Sequence, residues 1–216
     1  MAIRCSTRRD GDFHPTKVPR DELTVRRRTL VDLPWTMLDQ RHGTDVVRVT
    51  EGGSGDGERG DIAITDIDDA VLGCWVGDCA AIVLIGAARE FAIVHAGWRG
   101  LASGVIDHAV AAFDEPIIDA VLGPVIGVCC YEFGLGDLVD VAAGVGAEPA
   151  SITGVTQTGS MGLDMTAAVD AACRRHGFAV STIAGCTGCG DDTFSYRVRG
   201  DTRRHVVAAW RPGSTS

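Results

Sequence analysis

Two apolar runs constrain this chain more than anything else in it: residues 80–87 and 91–96, separated by a short polar turn. Neither alternates polar with apolar side chains, so both read as adjacent strands buried inside the molecule. Each carries a reactive side chain at one end, since Cys79 opens the first and His95 closes the second. Gly97-Trp98-Arg99-Gly100 then turns into a segment of helical period. A strand end, a thiol or imidazole, a glycine turn and a helix start are the parts of an anion-binding active site, and the chemistry is expected here.

The rest of the chain can support such a core. Its 216 residues suffice for one large domain, and 45% apolar with 23% charged residues is a globular composition that excludes disorder. The formal charge of −9 argues against sequence-independent binding of nucleic acid, which needs a basic face. The arginine run at 26–28 reads as a solvated face. No stretch approaches the ~20 uninterrupted apolar residues of a membrane span. Arg4, Arg8, Arg9 and Asp10 leave no room for an apolar signal core at the start. The expectation is a cytoplasmic protein without membrane or nucleic-acid partners. Its eight cysteines should be reduced, serving as core, ligand or nucleophile.

Hydrophobic patterning predicts strands at 3–6, 35–38, 46–49, 62–65, 70–76, 117–122, 180–184 and 205–210, with a glycine-rich loop at 52–60. Helices are expected at 21–30 and 137–143. Another is expected from Asp164, a good N-cap, to His176, with Met165, Val169, Ala172 and Cys173 as its buried stripe. Leu101, Val105, His108, Ala109 and Ala112 share one face of a helix, which makes His108 a core histidine. Strands outnumber the helices of strict βαβ alternation, so the fold class is α+β with mixed sheets, in a single domain over 1–216.

His42, Cys79 and His95 are a plausible trio of borderline-soft ligands for zinc or copper. Their spacing leaves core and turn roles open, as well as a nucleophilic Cys79 activated by His95 with Asp78 or His42 nearby. Cys186-Thr187-Gly188-Cys189 is a CxxC without a second CxxC, and reads best as a structural turn. Cys129-Cys130, after an apolar strand, reads as small core residues. Arg99, Tyr196 and Arg197 sit beside glycine or aromatic turns, where substrate anions are often held.

These residues carry a resemblance. Gln40-x-His42-Gly43-x-x-Val46, Gly77-Asp78-Cys79 and Val94-His95-Ala96-Gly97-Trp98-Arg99-Gly100 are followed by Gly123-Pro124-x-Ile126-Gly127-x-Cys129-Cys130-Tyr131-Glu132. Leu163-Asp164, Cys186-Thr187-x-Cys189 and Phe194-Ser195-Tyr196-Arg197 complete the order. Together they resemble the laccase-domain family, also called multicopper polyphenol oxidase-like or YfiH-type. The resemblance implies an α/β sandwich and a metal site, usually zinc, at His42, Cys79 and His95. It implies catalytic roles for those three and Arg99, and substrate contacts from Arg99, Tyr196, Arg197 and Gln40. It also implies phosphorolysis of purine nucleosides, accompanied in members by adenosine deamination and methylthioadenosine cleavage. The small-molecule partners are then a nucleoside and phosphate, on a monomer or small homo-oligomer. Older alternatives are a copper-dependent laccase and an amidohydrolase of peptidoglycan precursors; an inactive metal-binding member is another. A copper cluster needs His-x-His pairs, and the six histidines form none. The region before Gln40 is shorter than in such members. Gly188 stands where they carry a bulky aromatic, which predicts a looser pocket wall.

Overall fold

The computed structural model describes residues 1–213. The strands are β1 (Ala2–Cys5), β2 (Trp35–Met37), β3 (Val46–Arg48), β4 (Ile62–Thr65), β5 (Val71–Val76), β6 (Ala80–Gly86), β7 (Phe91–Ala96), β8 (Ile117–Leu122), β9 (Thr153–Val155), β10 (Met161–Leu163), β11 (Val180–Thr182) and β12 (His205–Trp210). The helices are α1 (Arg20–Leu30), α2 (Trp98–Ala102), α3 (Val105–Ala111), α4 (Leu135–Val145), α5 (Met165–Arg175) and α6 (Tyr196–Arg199).

The architecture follows from the two apolar runs. β6 and β7 form an antiparallel pair at the centre of a six-stranded sheet ordered β11-β8-β6-β7-β4-β3. A second sheet, ordered β1-β12-β5-β2, packs against one face of the first. Ala81, Val83 and Ile93 of the larger sheet meet Leu72, Cys74 and Val207 of the smaller in one core. Alternate residues of the same strands, Ile82, Leu84 and Val94, face the opposite way and pack against Leu101, Val141 and Val169 of the helices. Every residue of β7 is therefore buried, which is why its sequence does not alternate. The outer face of the smaller sheet is covered by the N-terminal segment, through Phe13, Leu23 and Leu30. The result is one α/β/β/α sandwich with mixed sheets, since β2–β5, β3–β4 and β8–β11 pair in parallel.

Local signals place the helices well. Asp164 caps α5 by accepting from Ala167 N at 3.0 Å, and Gly177 follows its end at φ +86°. One expectation fails. The helix on which His108 was to face the core is broken at Gly104, whose φ of +73° resets the phase. Ile106 takes the inward position beside Val105 and Ala109, and His108 is exposed.

A core histidine is found instead at His205, at the start of β12. It is 0% exposed, and neither ring nitrogen has a hydrogen-bond partner among the described residues. Burial, helped by the Arg204 charge, pushes it from 6.5 down to about 3. Between those values the unfolded chain binds a proton that the folded chain refuses. Stability is therefore intact above about pH 6.5 and falls by ~1.4 kcal/mol per unit as pH drops toward 3. His205→Phe, of similar shape, should flatten this acid limb. Urea midpoints above and within the window check it, and midpoints that fall equally in both proteins would refute the assignment.

Candidate active site

The β6–β7 register builds the first two side chains of the site. Ala81 pairs with His95 and Ala80 with Ala96, so Cys79, just before β6, is the diagonal same-face neighbour of His95. His42 arrives from the loop after β2, and its Nε2 lies 3.7 Å from Cys79 Sγ. One ligand atom from each of the three lies within 4.8 Å of the others. Gly97 makes this possible: a Cβ there would come within 2.5 Å of the His42 ring and 3.3 Å of Cys79 Sγ.

Asp61, which the sequence reading missed, organises the trio. Its buried carboxylate accepts from the backbone N–H groups of Arg41, His42 and Gly43 at 2.8–3.1 Å. It also lies 2.7 Å from His95 Nδ1. The amides hold His42 at φ +60°, a left-handed conformation that costs a non-glycine residue about 1–3 kcal/mol. In the neutral ring, donation by Nδ1–H to the carboxylate leaves the His95 Nε2 lone pair for the cluster. Burial opposes the Asp61 charge, but His95 and the amides hold the carboxyl below the usual range. Its only sequence signal is an acid set directly before an apolar strand.

Two opposed effects act on the thiol and imidazole. Burial raises the Cys79 thiol, yet hydrogen bonds from His42 and His95 bring it down to about 6. Burial lowers His95, while Asp61 and Cys79 raise it to about 9. Without a metal these effects draw the pair toward thiolate and imidazolium, and an ion held by the trio would take the place of the proton on His95 Nε2. Two imidazoles and a thiolate suit zinc, and accommodate copper. Of the other histidines, His14 also lines the cavity, with its ring tilted against Trp75 at 4.8 Å, while His176 is 2.6 Å from Asp107; neither these nor His108 and His205 join the trio's ligand cluster among the described residues. A single additional imidazole in the lining falls short of the several His pairs that a multicopper cluster needs.

The trio lies in the wall of a cavity of about 380 Å³, within the ~300–1,000 Å³ range of small-molecule sites. Arg99, Arg197, Tyr196 and two residues that the sequence did not point to, Arg204 and Tyr131, share this wall. None of the three arginines has a carboxylate side-chain partner among the described residues. Arg197 lies 4.5 Å from the centre of the Tyr131 ring and donates to Glu132 O at 2.9 Å. Arg99 lies 4.3 Å from the centre of the Trp98 ring. It sits on a five-residue helix, too short to add much dipole.

Two expected wall residues lie elsewhere. The Gln40 amide donates to Trp75 O at 2.9 Å and accepts from Trp75 N at 3.0 Å, so it fixes the strand behind the cavity. Gly188 packs on Cys130 and Val198 outside the lining, where a Cβ would fall 2.9 Å from Cys130 Cβ. Gly188 itself is therefore not part of the cavity wall. Asp78 is likewise not a partner for His95. Its carboxylate accepts from Thr187 Oγ1 at 2.6 Å and Arg197 N at 2.7 Å, holding its own backbone at φ +134°.

Comparison with known proteins bears on family and fold. The sequence profile of the family described as multi-copper polyphenol oxidoreductase laccase matches residues 8–212. A purine nucleoside phosphorylase of Xylella fastidiosa (strain Temecula1) is 33% identical over 187 residues, covering 80% of this chain and 70% of that protein. The purine nucleoside phosphorylase YfiH of Shigella flexneri is 39% identical over 100 residues; that match covers 45% of this chain and only 41% of the relative. Among solved structures, a Neisseria meningitidis protein superposes with a TM-score of 0.79 at 28% identity, covering 90% of this chain and 83% of that one. YlmD from Geobacillus stearothermophilus gives 0.78 at 26% identity, covering 90% and 82%. Among the described residues no helix is long and apolar enough to cross a membrane. With the profile spanning almost its whole length and the sandwich shared with these structures, the chain belongs to the multi-copper polyphenol oxidoreductase laccase family.

Proposed function

We propose that this protein catalyses phosphorolysis of purine nucleosides. A phosphate oxygen bonds to C1′ as the bond from C1′ to the purine nitrogen breaks. The purine leaves with that electron pair and takes a proton, giving free base and ribose 1-phosphate. The observation that carries the proposal is the convergence of Arg99, Arg197 and Arg204, without carboxylate side-chain partners among the described residues, on one aromatic-walled cavity. Phosphorolysis needs a dianion held against a sugar, so charge neutralisation and positioning do most of the work. Arg99 and Arg197 hold the phosphate, and Tyr196 and Tyr131 flank the nucleoside. His42, Cys79 and His95 would hold zinc, which when bound supplies a fixed positive charge where negative charge develops. The proposal extends to adenosine deamination and to methylthioadenosine as substrate, since both present the same purine. The relatives named purine nucleoside phosphorylases support the choice of substrate class.

The test is adenosine with and without phosphate, followed by chromatography. Phosphate-dependent adenine supports phosphorolysis, and inosine supports deamination. Neither product from zinc-loaded protein would overturn both. Arg197→Ala should raise the KM for phosphate about 10–100-fold, the worth of a hydrogen bond to a charged group at ~1.5–3 kcal/mol. An unchanged phosphate KM would remove Arg197 from this role.

One observation favours a second reading. Cys79, His95 and Asp61 are ordered as nucleophile, base and orienting acid, the arrangement of a cysteine amidohydrolase. Metal-free protein that hydrolyses a peptidoglycan-type amide, and stops when Cys79 is alkylated, would establish it. Loss of all activity on zinc removal would exclude it.

A further inference from the structure

A second group of soft ligands lies outside this cavity. Cys129 and Cys130, in the turn after β8, meet Cys186 and Cys189 in the turn before α6. The four Sγ atoms all lie within 4.8 Å of one another. Four of the separations are 3.4 Å (Cys129–Cys189), 3.4 Å (Cys130–Cys189), 3.7 Å (Cys129–Cys130) and 3.8 Å (Cys129–Cys186). In a tetrahedral tetrathiolate with zinc–sulfur bonds of ~2.3 Å, neighbouring sulfurs stand about 3.8 Å apart. We propose that these four cysteines form a structural zinc site, distinct from the His42–Cys79–His95 site.

The surroundings are built for such a centre. Gly127 N–H donates to Cys186 Sγ at 3.1 Å and the Gln157 amide to Cys189 Sγ at 3.7 Å, contacts that orient thiolate ligands. Glycine stands wherever a side chain would invade the cluster. A Cβ on Gly127 would meet Cys186 Sγ at 3.2 Å and Cys129 Sγ at 3.3 Å, and one on Gly188 would meet Cys130 Sγ at 3.0 Å. Arg199, which also pairs with Asp201 at 3.2 Å, donates to Gly188 O and Thr187 O at 3.0 and 2.9 Å and so ties the Cys186–Cys189 turn to α6. Cys189 is exposed and the other three half-buried, so an ion can enter from solvent. Binding replaces thiol protons with metal–sulfur bonds and releases those protons to water, with no change of oxidation state.

The place of the centre explains what it does. Tyr131 follows Cys130 directly, and Thr187, between the other two ligands, donates to Asp78 next to Cys79. The Cys186–Cys189 turn leads on to Tyr196 and Arg197. One ion therefore clamps together two loops that supply the cavity wall. The clamp does not depend on which reaction the cavity catalyses.

The test counts zinc per chain in protein grown with zinc and purified under reductant. The wild-type chain should hold two ions, Cys130→Ser or Cys189→Ser one, and Cys79→Ala one. Cobalt added to metal-free Cys79→Ala protein should give the intense charge-transfer absorption of four thiolates, together with a rise in melting temperature. The cobalt arm needs no change in the cluster, so it stands even where a cluster variant fails to fold. Zinc content unaffected by the Cys189 change would overturn the site. So would disulfides in place of titratable thiols in the reduced preparation, or a cobalt spectrum without strong thiolate absorption.

Discussion

Asp61→Asn is expected to destabilise the protein by about 2–4 kcal/mol and to lower zinc affinity at the His42–Cys79–His95 site by about 10–100-fold. The carboxylate is buried and surrounded by donors: three consecutive backbone amides and His95 Nδ1. An amide of the same shape keeps one acceptor oxygen but turns an NH₂ group toward other N–H groups. Some of the donors at Arg41–Gly43 would lose their partner, and the left-handed His42 would lose its brace. His95 would gain an alternative tautomer with the proton on Nε2, the atom that has to face the metal. Calorimetry and competitive zinc titration read the two effects separately. The stabilising contribution has a defined pH window. Because the folded carboxyl lies below its unfolded value of 3.8, its contribution is complete above that value and is lost as pH falls through the lower folded value. Unchanged melting temperature and zinc affinity in Asp61→Asn would show that Asp61 is not the organiser of the trio.

Cys79→Ala is expected to reduce phosphorolysis by at least about 10²-fold, since losing a direct ligand should cost no less than losing a supporting one. The fold should survive. Cys79 lies at the cavity wall just before β6, and β6 keeps its ladders to β7 and β8 on either side. Circular dichroism and the melting curve establish that the variant is folded; steady-state kinetics with adenosine and phosphate establish the loss. Its zinc content should fall by one ion, with the four-cysteine centre still filled. A folded Cys79→Ala protein with undiminished phosphorolysis would remove the trio from the reaction, while leaving the arginine-lined cavity to be tested on its own.

Some residues were easy to identify because their signals are local. The β6–β7 pair shows in two unbroken apolar runs, and Asp164 announces α5 through its capping chemistry. Others had no local signal. Cys186 and Cys189 looked like half a motif, because the partner pair is vicinal and lies 56 residues upstream, Cys130 to Cys186. Asp61 looked like a loop acid before a strand. His108 carried a helical stripe in sequence that Gly104 interrupts in space. Arg204 sits among several arginines, with nothing in sequence to mark it as the one at the cavity.

By itself the amino-acid sequence determined the buried central strands and the mixed-sheet class, while His42, Cys79 and His95 stood out as one site only through the family resemblance. It could do so because periodicity, capping and glycine turns act over a few residues and leave a trace in the order of the chain. Tertiary structure alone decided that Asp61 holds that trio, that three arginines face one cavity, and that four distant cysteines converge behind its wall. Those arrangements depend on sheet register and on the packing of loops far apart in the chain, where distances of 3–4 Å are set by the fold rather than by neighbouring residues.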